Sequence, residues 1–263
     1  QDLGFEIKKK VKLLEVKIPS WRPDIFGQID LVEEVIRIKG FSNIHSIEPE
    51  KKRLKPTLNF LQKNLHMAKR SIASKGYIEA ITWSFTDEKI NKFFLTKQKI
   101  IRLINPISSE LNVLRNSIYP NLINNIKKNI DRGFENFSLF EIGPCFEGSE
   151  PGEQKNIVCG VKIGEVSEKN WNEKNRLIDV FDVKRDVIQT LIELGIDRNE
   201  IFINETTPEY YHPGKSGSIL FKKDQKKLIS YFGELHPNII KELDIKTNAI
   251  QGFEIFLDNL VDY

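Results

Sequence analysis

Four carboxylates cluster near the start of the chain and could together bind a hard cation. They are Asp24, Asp30, Glu33 and Glu34. Mg²⁺ takes oxygen ligands, usually keeps several of its waters and often borrows ligands from a partner. A structural role is the alternative, because acidic side chains near a helix N-terminus complement the helix dipole and are common without any ligand. The residue types and their spacing leave both interpretations open.

The residues around these carboxylates predict a turn followed by a helix. Two prolines break regular structure just before Asp24. Apolar residues then recur at helical spacing, at Ile29, Val32, Val35, Ile36 and Ile38. We predict that Asp30 is the N-cap of a helix over residues 30–39, and that Glu33 completes a variant of the capping box. Gly40 is predicted to end this helix.

Composition limits the classes of function that the chain could have. Its 263 residues are 40% hydrophobic, which is enough for one or two domains with a sizeable core. The 40 basic and 37 acidic residues nearly balance, which argues against a protein that coats nucleic acid. No apolar run approaches the length of a membrane span. Residues 1–5 resemble neither a signal peptide nor an initiator methionine, so we expect a piece of a longer, cytoplasmic protein.

The two cysteines are predicted to be buried, reduced thiols. Cys145 and Cys159 are too far apart in sequence for a chelating pair and have no neighbouring histidine. His212 and His236 each precede a proline, so turns held by hydrogen bonds are favoured over a catalytic base or zinc ligands. Both predictions are typical of a cytosolic protein without a zinc site.

Periodicity predicts an α+β fold with a mainly antiparallel sheet. Residues 3–18 are predicted to form two short strands around a basic turn at residues 8–10. Further helices are predicted at residues 58–75 and 179–194, after Pro237, and within residues 111–132 with Pro120 in the first turn; a short helix is predicted to be capped by Thr86. Further strands are predicted at residues 77–85, 100–104, 137–146, 157–163, 201–204, 217–221, 229–234 and 249–257. The predicted domains are residues 1–48 and 58–263, joined by a linker at 49–57.

Two groups of motifs resemble the beta subunit of bacterial phenylalanyl-tRNA synthetase. The first spans residues 17–44 and is similar to the end of the B5 domain of that family, with Pro-Ser-Trp-Arg starting at Pro19 and Asp-Leu-x-Glu-Glu-Val starting at Asp30. The second resembles the catalytic-like module from about residue 58 onward. Its motifs are Asn105-Pro106, Leu114-Arg115-Asn116-Ser117, Leu139-Phe140-Glu141-Ile142-Gly143, Tyr211-His212-Pro213-Gly214-Lys215-Ser216 and Gly233-Glu234-Leu235-His236-Pro237.

This resemblance implies a fold, a metal and partners. The implied fold is a class II synthetase-like antiparallel sheet flanked by helices, preceded by a partial winged-helix-like (B5) domain. The implied Mg²⁺ site uses Asp24, Asp30, Glu33 and Glu34 and is shared with the alpha subunit. The implied complex is an alpha2beta2 heterotetramer of phenylalanine–tRNA ligase, which attaches phenylalanine to tRNA(Phe) with ATP and engages the tRNA through the full-length complex.

The region that resembles class II motif 3, residues 252–260, lacks the charges that adenylate formation needs. This reaction builds negative charge at the α-phosphate and requires fixed cations, usually arginine. The region has one glycine and no arginine, and its Glu254 and Asp258 would repel a triphosphate. We therefore assign no catalytic residue and expect the chain alone to be inactive. Glu141 is predicted to be a buried carboxylate paired with Arg115.

Two other functions are compatible with the sequence. One is a nucleic-acid (tRNA) binding module built on the winged-helix-like piece, without a role in assembly. Its discriminating feature would be a basic recognition face, whereas the predicted helix at 30–39 begins with acidic residues. The other is a self-sufficient ligase, which ATP–pyrophosphate exchange by this chain alone would reveal.

Overall fold

The computed structural model describes residues 1–49, 57–96, 99–167, 171–172, 174–224 and 227–260. The chain divides into two compact units, Gln1–Lys55 and Pro56–Tyr263. Most of the predicted linker at 49–57 lies outside the described residues, and the predicted domain bounds stay a prediction.

The first unit contains a β-ribbon followed by a helix. Strand β1 (Glu6–Lys10) pairs antiparallel with β2 (Leu13–Lys17), and helix α1 spans Gln28–Lys39. The two predicted strands are confirmed, but the predicted turn at residues 8–10 is wrong. These lysines belong to β1, and the ribbon tolerates them because most of its residues face solvent. The winged-helix-like architecture stays a prediction.

The second unit is organised around a mixed sheet. Its strands are β3 (Ile78–Glu79), β6 (Phe137–Phe146), β7 (Gln154–Ile163), β8 (Ile201–Asn204), β9 (Tyr211–Phe221), β10 (Leu228–Leu235) and β11 (Gln251–Phe256). Within the described residues these seven strands lie in the order β3-β6-β7-β11-β10-β9-β8. All neighbours are antiparallel except β3 and β6, which are parallel. The predicted α+β fold with a mainly antiparallel sheet is confirmed.

Helices cover the sheet, and each face has its own apolar core. The helices are α2 (Phe60–Ser74), α3 (Glu88–Asn91), α4 (Tyr119–Ile130), α5 (Val180–Glu193) and α6 (Pro237–Glu242). One core joins α2 and α5 to the sheet and contains Val158, and the other joins α4 and α6 to the sheet and contains Cys159. Adjacent strand residues point to opposite faces, which explains why these two neighbours belong to different cores. Both cysteines are buried and free, as predicted.

Three local predictions in the second unit are wrong. Residues 77–85 do not form one strand, because only β3 and the short β4 (Phe85–Thr86), which pairs with β5 (Val113–Leu114), are regular. Residues 100–104 contribute only an isolated bridge from Arg102 to Val113. Asp87, and not Thr86, caps α3, since its carboxylate accepts a hydrogen bond from the Lys89 amide. In the described parts of the chain, no helix has the length and apolar character needed to cross a membrane.

Candidate functional site

The first turn of α1 holds Asp30 in a capping role. Gly27 is the N-cap, so the prediction that Asp30 caps the helix from the N-cap position is wrong. Asp30 lies at the third helical position, and its Oδ2 accepts hydrogen bonds from the amides of Phe26 and Gly27, both at 2.8 Å. These backbone donors hold the pKa of Asp30 below its usual range. The helix ends at Gly40, as predicted, with φ at 93° and its amide bonded to the Ile36 carbonyl.

Two of the other predicted ligands are paired with arginine. The Arg22 guanidinium donates to Glu34 at 2.9 and 3.1 Å and to Asp24 at 2.7 Å, and Arg37 donates to Glu34 at 2.8 Å. Glu34 is buried, whereas Asp24 is exposed. Arg22, followed by Arg37, lowers the pKa of Glu34 to about 2, and Arg22 also lowers the pKa of Asp24.

The predicted carboxylates therefore do not fit a metal ion in this arrangement. Asp30 is bonded to backbone amides, while the guanidinium of Arg22 lies between Asp24 and Glu34, where a cation would have to bind. Glu33 is exposed on α1, and its carboxylate has no hydrogen bond or ion pair with another described residue. Across the residues that the structure describes, no three His, Cys, Asp or Glu side chains are grouped to hold a metal.

We expect Glu34 to titrate near pH 2 in the metal-free chain, because two arginines favour its ionised form. A folded-state pKa below the unfolded value of about 4.3 means that the pairing stabilises the protein above that value. This contribution is lost as the pH falls toward 2. Carbon-13 NMR of the side-chain carboxyl measures the pKa.

The variant Arg22→Gln should raise the pKa of Glu34 toward its ordinary range. The matched control Arg102→Gln removes an arginine that pairs with Glu88 in the other unit, and it should leave Glu34 unchanged. A wild-type Glu34 pKa of about 4 would contradict the arginine pairing.

A cavity of about 330 Å³ on one face of the sheet, which we call the sheet-face cavity, is the second candidate site. Its floor comes from the strands β6, β7, β11 and β10, and its opposite wall comes from the segments before α4 and β9 and after α3. The residues that line it include Phe94, Ser117, Glu147, Lys155, Tyr210, Tyr231, Glu254 and Phe256. Glu254 and Phe256 belong to residues 252–260, the region that resembles class II motif 3. The charges of the cavity therefore indicate whether this region could bind a nucleotide.

The charges of this cavity do not suit a nucleotide. Glu254 is buried and lines the cavity, and no arginine is among the described residues that line it. Burial raises the pKa of Glu254, and hydrogen bonds from Ser117 and Tyr210 partly offset this effect. Asp258 is turned away to the amide of Asn156, at 2.6 Å, and does not line the cavity. An anionic ligand would thus meet a buried acid without a compensating cation.

The predicted pairing of Glu141 with Arg115 is confirmed. Their side chains meet at 2.6 Å and are almost fully buried. His212 and His236 each accept a hydrogen bond from a backbone amide two residues later, as expected for structural turns. The roles of Tyr210 and Tyr231 in lining the cavity were not predicted from the sequence. The signal for the cavity was Glu254, a single acid within the mostly apolar strand β11 (Gln251–Phe256).

Comparisons with known proteins agree on a family. A model described as phenylalanyl tRNA synthetase beta chain CLM domain matches residues 44–257, and a tRNA synthetase B5 domain model matches residues 1–41. The chain is 38% identical over 260 residues to the phenylalanine–tRNA ligase beta subunit of Paramagnetospirillum magneticum. It is 37% identical over 264 residues to the subunit of the same name from Bartonella henselae. Each match covers 98% of this chain but only 32% of the relative.

The chain thus spans about a third of the length of the curated relatives that it matches. A solved structure of a pyrrolysyl tRNA synthetase from Desulfitobacterium hafniense has a similar fold, with a TM-score of 0.56. The similarity covers 89% of this chain and 74% of that one, at 11% sequence identity. At this level of identity the likeness shows the fold alone.

Proposed function

Because the chain belongs to the phenylalanyl-tRNA synthetase beta chain family, we propose that it serves subunit assembly in phenylalanine–tRNA ligase. In this proposal an alpha subunit forms the adenylate, and the present chain packs against it within an alpha2beta2 heterotetramer in the cytoplasm. The complete complex, a class II synthetase, attaches phenylalanine to tRNA(Phe) with ATP. The chain alone makes no adenylate, which the uncompensated acid Glu254 and the lack of an arginine among the described residues that line the sheet-face cavity support.

An apolar strip at one edge of the sheet carries this proposal. Ile78, Ile81 and Trp83 are 63%, 89% and 63% exposed, and we call these three residues the β3 edge. Strand β3 has β6 on one side and no described strand on the other. Exposed apolar side chains beside an unpaired strand are typical of a surface that another protein covers.

The backbone of the β3 edge is fixed, so its exposure does not come from a loose end. The amide of Ala80 donates to the Phe140 carbonyl at 2.7 Å, and the Trp83 carbonyl accepts from the Asn121 side chain at 2.9 Å. Tyr77, just before the strip, is buried in the core that contains α2 and α5. A preorganised apolar surface of this kind loses little conformational entropy when a partner binds.

The double variant Ile81→Asp/Trp83→Asp should weaken binding to a phenylalanyl-tRNA synthetase alpha subunit by about a hundredfold or more, because it places charge in a buried interface. Co-purification and calorimetric titration measure this effect. The matched control is Ile203→Asp, which adds a charge at a 42% exposed isoleucine on β8, at the opposite edge of the sheet. Unchanged binding by the double variant would refute the β3 edge as the interface, and failure of the wild type to bind would refute assembly.

The resemblance to this family also carries the proposal that Asp24, Asp30, Glu33 and Glu34 contribute to a Mg²⁺ site shared with the alpha subunit. The arginine pairs and backbone contacts of Asp24, Asp30 and Glu34 oppose it, and Glu33 is the one of the four without a described partner. The association experiment also tests this metal site. It compares the wild type in the presence of a chelator with Glu33→Gln in the presence of Mg²⁺. Loss of association in both samples would support a bridging cation, whereas association retained in both would leave the carboxylates with structural roles.

Binding of tRNA by the first unit is the second candidate, and exposed lysines on the β-ribbon favour it. Lys8, Lys9 and Lys12 face solvent and have no ion pair with a described residue, unlike Lys10 and Lys17. Phosphate contacts would make such binding fall steeply with salt concentration. Salt-dependent tRNA binding by the chain without alpha-subunit binding would favour this function over assembly.

A further inference from the structure

The sheet-face cavity has the size of a small-ligand site. Its volume of about 330 Å³ lies at the lower end of the range for ligand pockets, about 300–1,000 Å³. Its floor is rigid, because Tyr231 pairs with Glu254 across β10 and β11, and Ile157 pairs with Phe256 across β7 and β11. Residues on the paired strands therefore keep fixed positions around the cavity.

The cavity contains a buried acid without a cation. Oε1 of Glu254 accepts a hydrogen bond from Ser117 at 2.7 Å, and Oε2 accepts one from Tyr210 at 2.6 Å. Both donors are neutral hydroxyls, and Glu254 forms no ion pair with a described residue. Glu141 and Glu234, the other buried glutamates of this sheet, are each paired with a cation, Arg115 and Lys215. A buried carboxylate is ordinarily paired in this way, because removing its charge from water is costly.

The remaining charges at the cavity do not compensate Glu254. Lys155 lines the cavity, but its ammonium is paired with Glu147, which also lines it, at 2.7 Å. Each side chain of this pair is about two-fifths exposed, and the pair carries no net charge. An ionised Glu254 thus leaves the cavity with one uncompensated negative charge.

Aromatic rings surround the same space. Phe94, Tyr210, Tyr231 and Phe256 line the cavity, and Phe94 packs against Tyr210 with ring centroids 5.3 Å apart. Tyr231 packs edge-to-face against Phe256 at 5.7 Å. Aromatic faces attract organic cations, and their apolar bodies suit a hydrocarbon ligand.

We propose that this cavity binds a small organic monocation, a primary amine with an apolar or aromatic body, whose ammonium group pairs with Glu254. The aromatic side chains contact the body of the amine, and Ser117 and Tyr210 hold the carboxylate in place through their hydroxyl groups. Polyphosphates and other anions are excluded by the same acid. This site shares no residue with the β3 edge or with the carboxylates of α1, and it does not depend on the proposed role in assembly.

The wild-type chain tests the ligand class directly with three probes of similar size. Benzylamine is cationic, benzyl alcohol is neutral and benzoate is anionic at neutral pH. Calorimetric or NMR titration of the 263-residue chain should show benzylamine binding at least about tenfold more tightly than benzyl alcohol, and no binding of benzoate. Equal affinity for the amine and the alcohol, or no binding of the amine at about 10 mM, would overturn the proposal.

Two variants assign the binding to this cavity. Glu254→Gln keeps the shape of the side chain and should weaken benzylamine binding by about tenfold or more, whereas Glu234→Gln, the matched change at a buried acid outside the cavity, should leave it unchanged. Tyr231→Leu removes an aromatic wall without changing Glu254 and should weaken binding by about threefold or more. It remains informative if Glu254→Gln does not fold. Unchanged affinity in Glu254→Gln or in Tyr231→Leu would overturn the proposal.

Discussion

Replacing Glu141 by alanine should lower the free energy of unfolding by about 3–5 kcal/mol, because it leaves the guanidinium of Arg115 buried without its counter-ion. The two side chains are 5% and 2% exposed, and their charged atoms lie 2.6 Å apart. Urea denaturation of the second unit, followed by tryptophan fluorescence or circular dichroism, measures the change. This is one of the two largest stability effects that we expect for a single substitution.

The expected loss is large because the pair belongs to a connected network. The Thr82 hydroxyl donates to Glu141 at 2.7 Å and accepts from Arg115 at 3.1 Å. Arg115 also donates to the carbonyl of Pro144 at 3.0 Å. The network thus ties β6 to the irregular segment after β3 and to the segment before α4. Removal of one member leaves the other polar groups unsatisfied in a buried position.

The matched control is Glu147→Ala, which breaks the exposed pair with Lys155. At about two-fifths exposure on both sides, this pair should contribute no more than about 1 kcal/mol. A loss of about 1 kcal/mol or less for Glu141→Ala, similar to that of the control, would show that water reaches the Arg115 site and that the pair is not isolated from solvent.

Shortening Phe253 to alanine should cost about 3–5 kcal/mol, because its ring fills the core that α2 and α5 share with the sheet. Phe253 is 1% exposed, and its ring packs edge-to-face on Tyr77 with centroids 5.7 Å apart. The ring also lies against Gly160 on the neighbouring strand β7, where an added Cβ would collide with it. The two positions should therefore be energetically coupled.

A double-mutant cycle measures this coupling. Gly160→Ala should destabilise the wild type by about 1–3 kcal/mol through overpacking. In the Phe253→Ala background the same change should cost almost nothing, since the colliding ring is absent. The matched control is Gly214→Ala, a strand glycine of β9 whose nearest neighbour to an added Cβ is His212 at 3.8 Å, and it should change stability by about 0.5 kcal/mol or less. Additive losses at Gly160 and Phe253 would contradict the contact.

The sequence by itself determined the regular elements and one buried pair. Strand β6 and helix α4, with Pro120 in its first turn, could be predicted because each repeats its apolar pattern over ten or more residues. The pairing of Glu141 with Arg115 could be predicted because a lone carboxylate on an apolar strand is ordinarily paired with a buried cation. The motifs around Trp21 and Gly233 were distinctive enough to identify the family.

Only the tertiary structure decided how the charged side chains are used. Arg22 pairs with both Asp24 and Glu34, and this sharing depends on how the loop folds back on α1. Residues 78–79 pair in parallel with β6, although most of the sheet is antiparallel, because a local pattern carries no information on strand neighbours. The sequence could not show that Asp258 and Glu254 have different roles. In the structure Asp258 accepts a hydrogen bond from Asn156, whereas Glu254 lines the cavity.

The cavity itself comes from residues that are far apart in the chain. Ser117, Tyr210 and Glu254 meet within hydrogen-bond distance although 44 or more positions separate each from the next in the chain. Each of these residues is locally compatible with a solvent-exposed position, and only the packing of four strands against the segments before α4 and β9 buries them together. Periodicity therefore determined which elements form, whereas long-range packing decided which polar groups lost water and which of them found a partner.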